Sequence, residues 1–265
     1  TAGDDLVFSG STRTSNTNDF TAGTSFNSIT FAANNFTLAG NRVALTNGMT
    51  VNSGVSSSTA SLAVSVGSSF AVDVVDTTLS LSGVLSGSNN VTKSGAGTLI
   101  ISGASTYTGT TTISAGAIQV NDGGALGTGN VTNNSSLVFN RSTSTTLSNV
   151  VSGTGALTQQ GAGSLTLSGN NTYSGGTTIS AGTLIVGSVS GSSGALGTGA
   201  IVNDGTLTIH RSGTVTIADA ISGSGAFFAD VGTVILTGTN TYTGTTSIGA
   251  LATVKVGNAG TAGTL

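Results

Sequence analysis

The nine residues Gly95-Ala96-Gly97-Thr98-Leu99-Ile100-Ile101-Ser102-Gly103 return as Gly161-Ala162-Gly163-Ser164-Leu165-Thr166-Leu167-Ser168-Gly169. A worn third copy reads Asp230-Val231-Gly232-Thr233-Val234-Ile235-Leu236-Thr237-Gly238. A second landmark follows each of them: Thr106-Tyr107-Thr108-Gly109, Thr172-Tyr173-Ser174-Gly175 and Thr241-Tyr242-Thr243-Gly244. Successive tyrosines stand 66 and 69 residues apart. The phrase Gly124-Ala125-Leu126-Gly127-Thr128-Gly129 recurs 70 residues later, from Gly194 to Gly199, and Ser188-Val189-Ser190-Gly191 reads as the insertion between. Landmarks in one order at a nearly fixed period are the signature of a repeat architecture.

Each repeat subdivides. Apolar pairs at alternate positions (Leu99/Ile101, Ile118/Val120, Leu137/Phe139, Leu165/Leu167, Leu184/Val186, Leu207/Ile209, Val234/Leu236, Val254/Val256) predict short strands. Between them lie clusters such as Asn121-Asp122-Gly123-Gly124 and Asn170-Asn171, which are turn chemistry. Corresponding strands recur about every 20 residues, the length of one solenoid coil. One coil cannot bury its own apolar face, so coils must stack, and the reading is an all-β parallel β-helix of roughly 12 coils. At about 4.8 Å per coil this predicts a rod of about 58 Å. Proline is absent, as suits a backbone paired on both sides. An antiparallel sandwich also has short strands and turns, but it leaves the long period unexplained.

Residues 1–90 lack these landmarks but keep the strand rhythm, as in Leu6/Phe8, Ile29/Phe31, Phe36/Leu38, Val43/Leu45, Leu62/Val64, Phe70/Val72 and Leu79/Leu81. With no linker in between, 1–265 reads as one continuous solenoid. Residues 1–90 form its non-repeat or capping segment, and 91–265 carry the repeats of about 66–70 residues.

Gly, Ser, Thr and Asn make up 149 of the 265 residues, yet 37% of the chain is hydrophobic and mean hydropathy is +0.31. That balance excludes disorder, which goes with low hydrophobicity and high charge. Six Lys and Arg in total cannot form the basic field a nucleic acid requires. Without cysteine there are no disulfides, thiolate metal sites or thiol nucleophiles. No run of 18 apolar residues marks a membrane span, and Thr1 opens no signal sequence. The chain reads as a mature or excised segment, and its lack of cysteine is in keeping with export.

Chemistry-bearing residues are sparse. Nine Asp and no Glu are spread along the chain, with Asp4-Asp5 and Asp73/Asp76 the only close sets. Calcium needs six to eight oxygen ligands, so these read as solvated turns, with Ca2+ the minor alternative and no cofactor expected. His210, the sole histidine, reads as a surface side chain at a strand end. No serine nucleophile elbow accompanies it, and an enzyme is not expected. Tyr107, Tyr173 and Tyr242 are the candidate glycan contacts. Three coils apart they lie roughly 14 Å from one another, too far to stack into one platform, so they read first as corner residues. For stability, Leu167 is assigned to the core, Thr177 to the surface with Thr177→Ser worth under about 0.5 kcal/mol, and salt is expected to matter little.

The phrases Lys93-Ser94-Gly95-Ala96-Gly97-Thr98-Leu99, Ser102 to Gly109 and Thr111-Thr112-Ile113-Ser114-Ala115-Gly116 resemble the passenger-associated repeat of bacterial autotransporters, and Leu165 to Val186 is similar again. Gly3-Asp4-Asp5-Leu6-Val7-Phe8 and Ser25-Phe26-Asn27-Ser28-Ile29-Thr30-Phe31 resemble the segment that often precedes such repeats. The resemblance implies a right-handed, single-stranded parallel β-helix, extracellular or on a bacterial cell surface, and brings no catalytic residues. The expected function is a non-catalytic stalk or filament module that meets copies of itself or flanking repeats end to end. An open end at Gly257 to Leu265, small and uncharged, fits that expectation. The alternative is an adhesin that holds glycans or a host protein along one face.

Overall fold

The computed structural model describes residues 3–68, 70–188, 191–257 and 263–264. Val189 and Ser190 of the insertion, and most of the segment read as an open end, lie outside the described residues. The chain is all-β, with parallel strands stacked as a solenoid of about 12 turns and no helix among the described residues. It divides into two compact units, Thr1–Leu137 and Val138–Leu265, whereas the sequence pattern changes near residue 90.

In the first unit one parallel sheet runs through Asp5–Phe8, Thr24–Phe31, Val43–Val51, Ala71–Val74, Val91–Ser94, Thr111–Ile113 and Val131–Asn133. A second runs through Ser15–Asn18, Thr37–Gly40, Ser58–Ala60, Thr78–Leu81, Thr98–Ile101 and Ala117–Asn121. Alternation sends every second side chain inward, and in-register stacking lines those side chains up. Leu79, Leu99 and Ile118 form one inner column, and Leu81, Ile101 and Val120 the next, all buried. Phenylalanines fill the first coils: Phe8 stacks on Phe31 with ring centroids 5.6 Å apart, and Phe20 meets Phe26 edge-on at 5.4 Å.

The second unit repeats the plan. Ala156–Gln159, Thr177–Ile179, Ile201–Asn203 and Ile221–Ser222 make one parallel sheet. Thr145–Leu147, Ser164–Leu167, Thr183–Val186, Thr206–Ile217, Ala226–Leu236 and Thr246–Val256 make the other. Leu147, Leu167, Val186, Ile209 and Ala229 form a buried column. The pair Val254/Val256 lies on a strand as expected but is not core, and Val256 is 41% exposed. Its strand pairs only with Ala226–Leu236, so no described coil covers its other side. The insertion is closed at its base: an added Cβ on Gly194 would come 2.5 Å from the Gly187 Cα, and the ladder resumes with Ala195 N–H donating to the Gly169 carbonyl at 3.1 Å.

Among the polar residues at inward positions, two meet the Gly-Ala-Gly corner. Lys93 is fully buried, and its Nζ donates to the carbonyls of Ser94, Gly95 (2.8 Å) and Ala115 (3.4 Å). In the second copy Gln159 takes its place and donates Nε2–H bonds to the Gly161 and Gly163 carbonyls at 2.8 and 2.9 Å. Both side chains supply donors to carbonyls at the Gly-Ala-Gly corner, adding to the backbone bond that the Gly163 carbonyl accepts from Thr183 N–H at 3.2 Å. The third copy has Ala229 there, and the chain runs straight on as the eleven-residue strand Ala226–Leu236, with a register shift between Ala229 and Val231. The corner phrase has changed with it, to Asp230-Val231-Gly232.

Burial lowers the Lys93 ammonium from the usual 10.5 to about 8, against the opposing pull of Asp73. Between those values the unfolded chain binds the proton more fully than the folded one, so stability rises with pH. Tyr107 and Tyr173, pushed above their ordinary 10.0 by burial, reverse the trend once unfolded tyrosines ionise. Thermal melts should therefore climb from about pH 8 toward about pH 10 and then fall, and Lys93→Gln should flatten the climb.

Candidate functional site

The one polar constellation present in all three copies is the box around Tyr107, Tyr173 and Tyr242. Each tyrosine leaves its turn and enters the solenoid interior, at 0%, 0% and 9% exposure. Its hydroxyl shares a hydrogen bond with a threonine four residues on: Thr111 at 2.6 Å, Thr177 at 2.8 Å and Thr246 at 2.6 Å. Burial raises the phenol pKa of Tyr107 and of Tyr173, and the threonine and the backbone of Gly127 or Gly197 pull back against it. Tyr242 additionally meets Phe227, ring centroids 6.3 Å apart.

Glycine roofs the ring. A Cβ on Gly197 would stand 2.0 Å from the Tyr173 carbonyl oxygen and 2.6 Å from its Cδ2. The glycine closing the tyrosine phrase is equally constrained, since a Cβ on Gly175 would come 2.4 Å from the Gly155 carbonyl carbon. Both landmark phrases therefore mark places where two coils touch at backbone distance.

The residue two before each tyrosine completes the box. Asn171 accepts the Val151 N–H at 2.8 Å from the coil below and donates Nδ2–H to the Ala195 carbonyl at 2.8 Å in the coil above. Asn240 likewise accepts from Ile221 N–H at 3.0 Å and donates to the Thr264 carbonyl. Ser105 keeps only the lower half, accepting from Leu85 N–H at 3.4 Å. One amide thus joins three successive coils where the regular ladder is interrupted. Asn171→Ala should leave two buried backbone groups unpaired and cost about 2 kcal/mol in urea unfolding, with Asn171→Ser recovering part of it.

This geometry corrects two expectations. Tyr107 and Tyr173 present no face to a sugar, because their rings lie wholly inside the stack, and Tyr242 is nearly as buried. Thr177 is not a surface residue either: it is 3% exposed and holds the Tyr173 hydroxyl. Thr177→Ser keeps the hydroxyl but removes a buried methyl, so its cost rises to about 1 kcal/mol. The threonine at the fourth position after each tyrosine was a readable signal, because its hydroxyl lies across a short turn from the phenol.

The acidic candidates are held within the fold. Asp5 accepts from Asn27 Nδ2–H at 2.7 Å and Ser28 Oγ–H at 2.6 Å, and these bonds hold its carboxyl below the usual range. Asn47 donates in turn to Asn27 at 2.7 Å, forming a ladder across three coils. Asp4 is the neighbouring acid on the same stretch. Asp76 accepts from Ser53 Oγ–H at 2.6 Å, and Asp73 lies on the strand Ala71–Val74 beside Lys93. His210 is mid-strand, not at a strand end as expected; it sits at a register shift in Thr206–Ile217 and pairs through Nδ1 with Asp230. Among the described residues no three acids or histidines gather around one point, and no helix is long and apolar enough to cross a membrane.

Comparison with known proteins matches the geometry. The passenger-associated-transport-repeat family matches residues 91–120, 157–186 and 229–250, which carry the tyrosine box of each copy and, in the first two, the Gly-Ala-Gly corner. Over 168 residues, 55% of this chain, the sequence is 34% identical to a protein named Adhesin BmaC autotransporter from Brucella suis biovar 1 (strain 1330). The chain spans 5% of that relative's length. No solved structure matches. Three boxes on a parallel solenoid each fall on a family match, so the chain carries passenger repeats of the autotransporter type.

Proposed function

We propose that the chain is a non-catalytic structural module of a secreted or cell-surface bacterial protein, a stiff spacer that sets other parts of a longer passenger apart from the cell. The observation that carries this reading is the inward turn of the repeated box: the side chains that recur in every copy serve coil-to-coil contact. Stacked coils bonded to their neighbours only are suited to spanning distance. Flanking repeats or further copies are the natural partners, since a coil end offers backbone groups to the next coil. Electron images of the chain carrying a bulky tag at each terminus test this. Tag separations fixed within a narrow distribution support the spacer, and broadly distributed separations overturn it. Turnover on uronate and neutral polysaccharides should be absent, with or without Ca2+.

The name of the Brucella relative favours a second reading, adhesion. With the tyrosines buried, binding would fall to the outward hydroxyl columns, such as Thr92, Thr112 and Thr132, which stand opposite one another on successive strands. Glycan-array binding that disappears in Thr112→Lys would favour this reading over the spacer.

A further inference from the structure

Within the second unit a cavity of about 180 Å3 opens between the Gly194–Gly199 phrase and the strand Thr206–Ile217. Val186, Ile201, Ile209 and Ile217, all buried, form its floor, and Thr216 and Asp219 stand among its wall residues. The Asp219 carboxylate makes no hydrogen bond or ion pair among the described residues. Most other acids of the chain have a partner: Asp5, Asp76, Asp204 and Asp230 each engage a named side chain or backbone group.

The repeat supplies an internal comparison. Seventy residues earlier, Phe139 stands where the cavity has Ile209, Leu147 where it has Ile217, and Asn149 where it has Asp219. Among the differences at the lining two stand out, the first reducing bulk at the floor and the second adding a charge at the wall, beside smaller exchanges such as Val131 for Ile201 and Thr145 for Val215. A change of packing alone would need only the first.

An apolar cavity of about 150 Å3 stays dry and admits a benzene-sized guest, while drug-sized ligands need roughly 300 Å3 or more. The guest is therefore one ring or one short chain. A lone carboxylate beside an apolar floor selects a guest with a cationic end, since the charge gains a partner as the body leaves water. We propose that this cavity is a binding site for small organic ammonium groups, with the apolar body on Ile209 and Ile217 and the ammonium at Asp219. Both a free amine and a lysine side chain carry that chemistry.

The test is a titration of the folded chain, followed by isoleucine methyl NMR, with benzylammonium, butylammonium, acetyl-lysine-methylamide and neutral benzyl alcohol. Millimolar binding is expected for the ammonium probes, with benzylammonium about 5-fold tighter than benzyl alcohol. Asp219→Asn should erase that preference, and Ile209→Phe, the residue of the other copy, should abolish binding of both. Binding of the lysine amide at the strength of butylammonium assigns the site to a protein side chain, and its failure assigns it to free amines. Equal affinity for benzylammonium and benzyl alcohol in the parent overturns the proposal, as does binding that survives Ile209→Phe. Should Ile209→Phe not fold, Asp219→Asn decides alone, because Asp219 is partly exposed.

Discussion

Leu167→Asp should abolish the cooperative melt of the second unit at neutral pH. Leu167 is fully buried, with Leu147 opposite it on one strand and Val186 on the other. No donor is positioned in that column to meet a carboxylate, and an unpaired buried charge costs several kcal/mol. Leu167→Ala, which only opens a cavity, should cost about 2–5 kcal/mol. Circular dichroism melts separate the two. Lowering the pH to about 4 neutralises the aspartate and should recover part of the loss for Leu167→Asp alone. Added NaCl should restore neither variant, since the defect is desolvation rather than a screened repulsion. A parent-like melt for Leu167→Asp would place residue 167 on the outer face and shift the strand register by one.

Tyr173→Ala comes next in size, at about 4 kcal/mol. It removes a fully buried ring and leaves the Thr177 hydroxyl inside without its partner. The neighbouring coil cannot collapse into the space by a small shift, because Gly197 already touches the ring at backbone distance. Tyr173→Phe isolates the hydrogen bond and should cost about 1 kcal/mol. Equilibrium urea unfolding of both variants apportions the box between ring and hydroxyl. A cost below that of Tyr173→Phe for the alanine variant would mean that the ring contributes nothing to the stack.

Period-two pairs such as Leu99/Ile101 and Leu165/Leu167 were legible because a parallel in-register stack needs nothing more than that alternation to build its core. The tyrosine box was legible as a landmark but not as an interior feature. A residue in a turn has no alternation to say which way it faces, and three-coil spacing spoke only against a shared outer platform. Lys93 and Gln159 were hidden by their polarity. Alternation with Val91 and Leu157 sets both inward, and the Gly-Ala-Gly corner just after each was the signal that buried carbonyls wanted donors. Asp219 was invisible without lining up Phe139 against Ile209, since a cavity is a missing volume and leaves no motif.

The closed base of the insertion between Gly187 and Gly194 has a consequence for how this kind of chain changes length. The Gly95 and Tyr107 landmarks before it recur at a 66-residue offset and the Gly124–Gly129 phrase after it at 70, yet the strands on both sides stay in register. A length change at that corner is absorbed where it occurs and is not passed on to the next coil. Doubling a surface loop adds only about 0.6 kcal/mol of closure entropy, so such corners are tolerant sites for new sequence. The strands between them are not: a single extra residue there would turn a whole inner column outward. Variation in such a scaffold is therefore steered to its corners, and the core keeps its register while the outline is free to diversify.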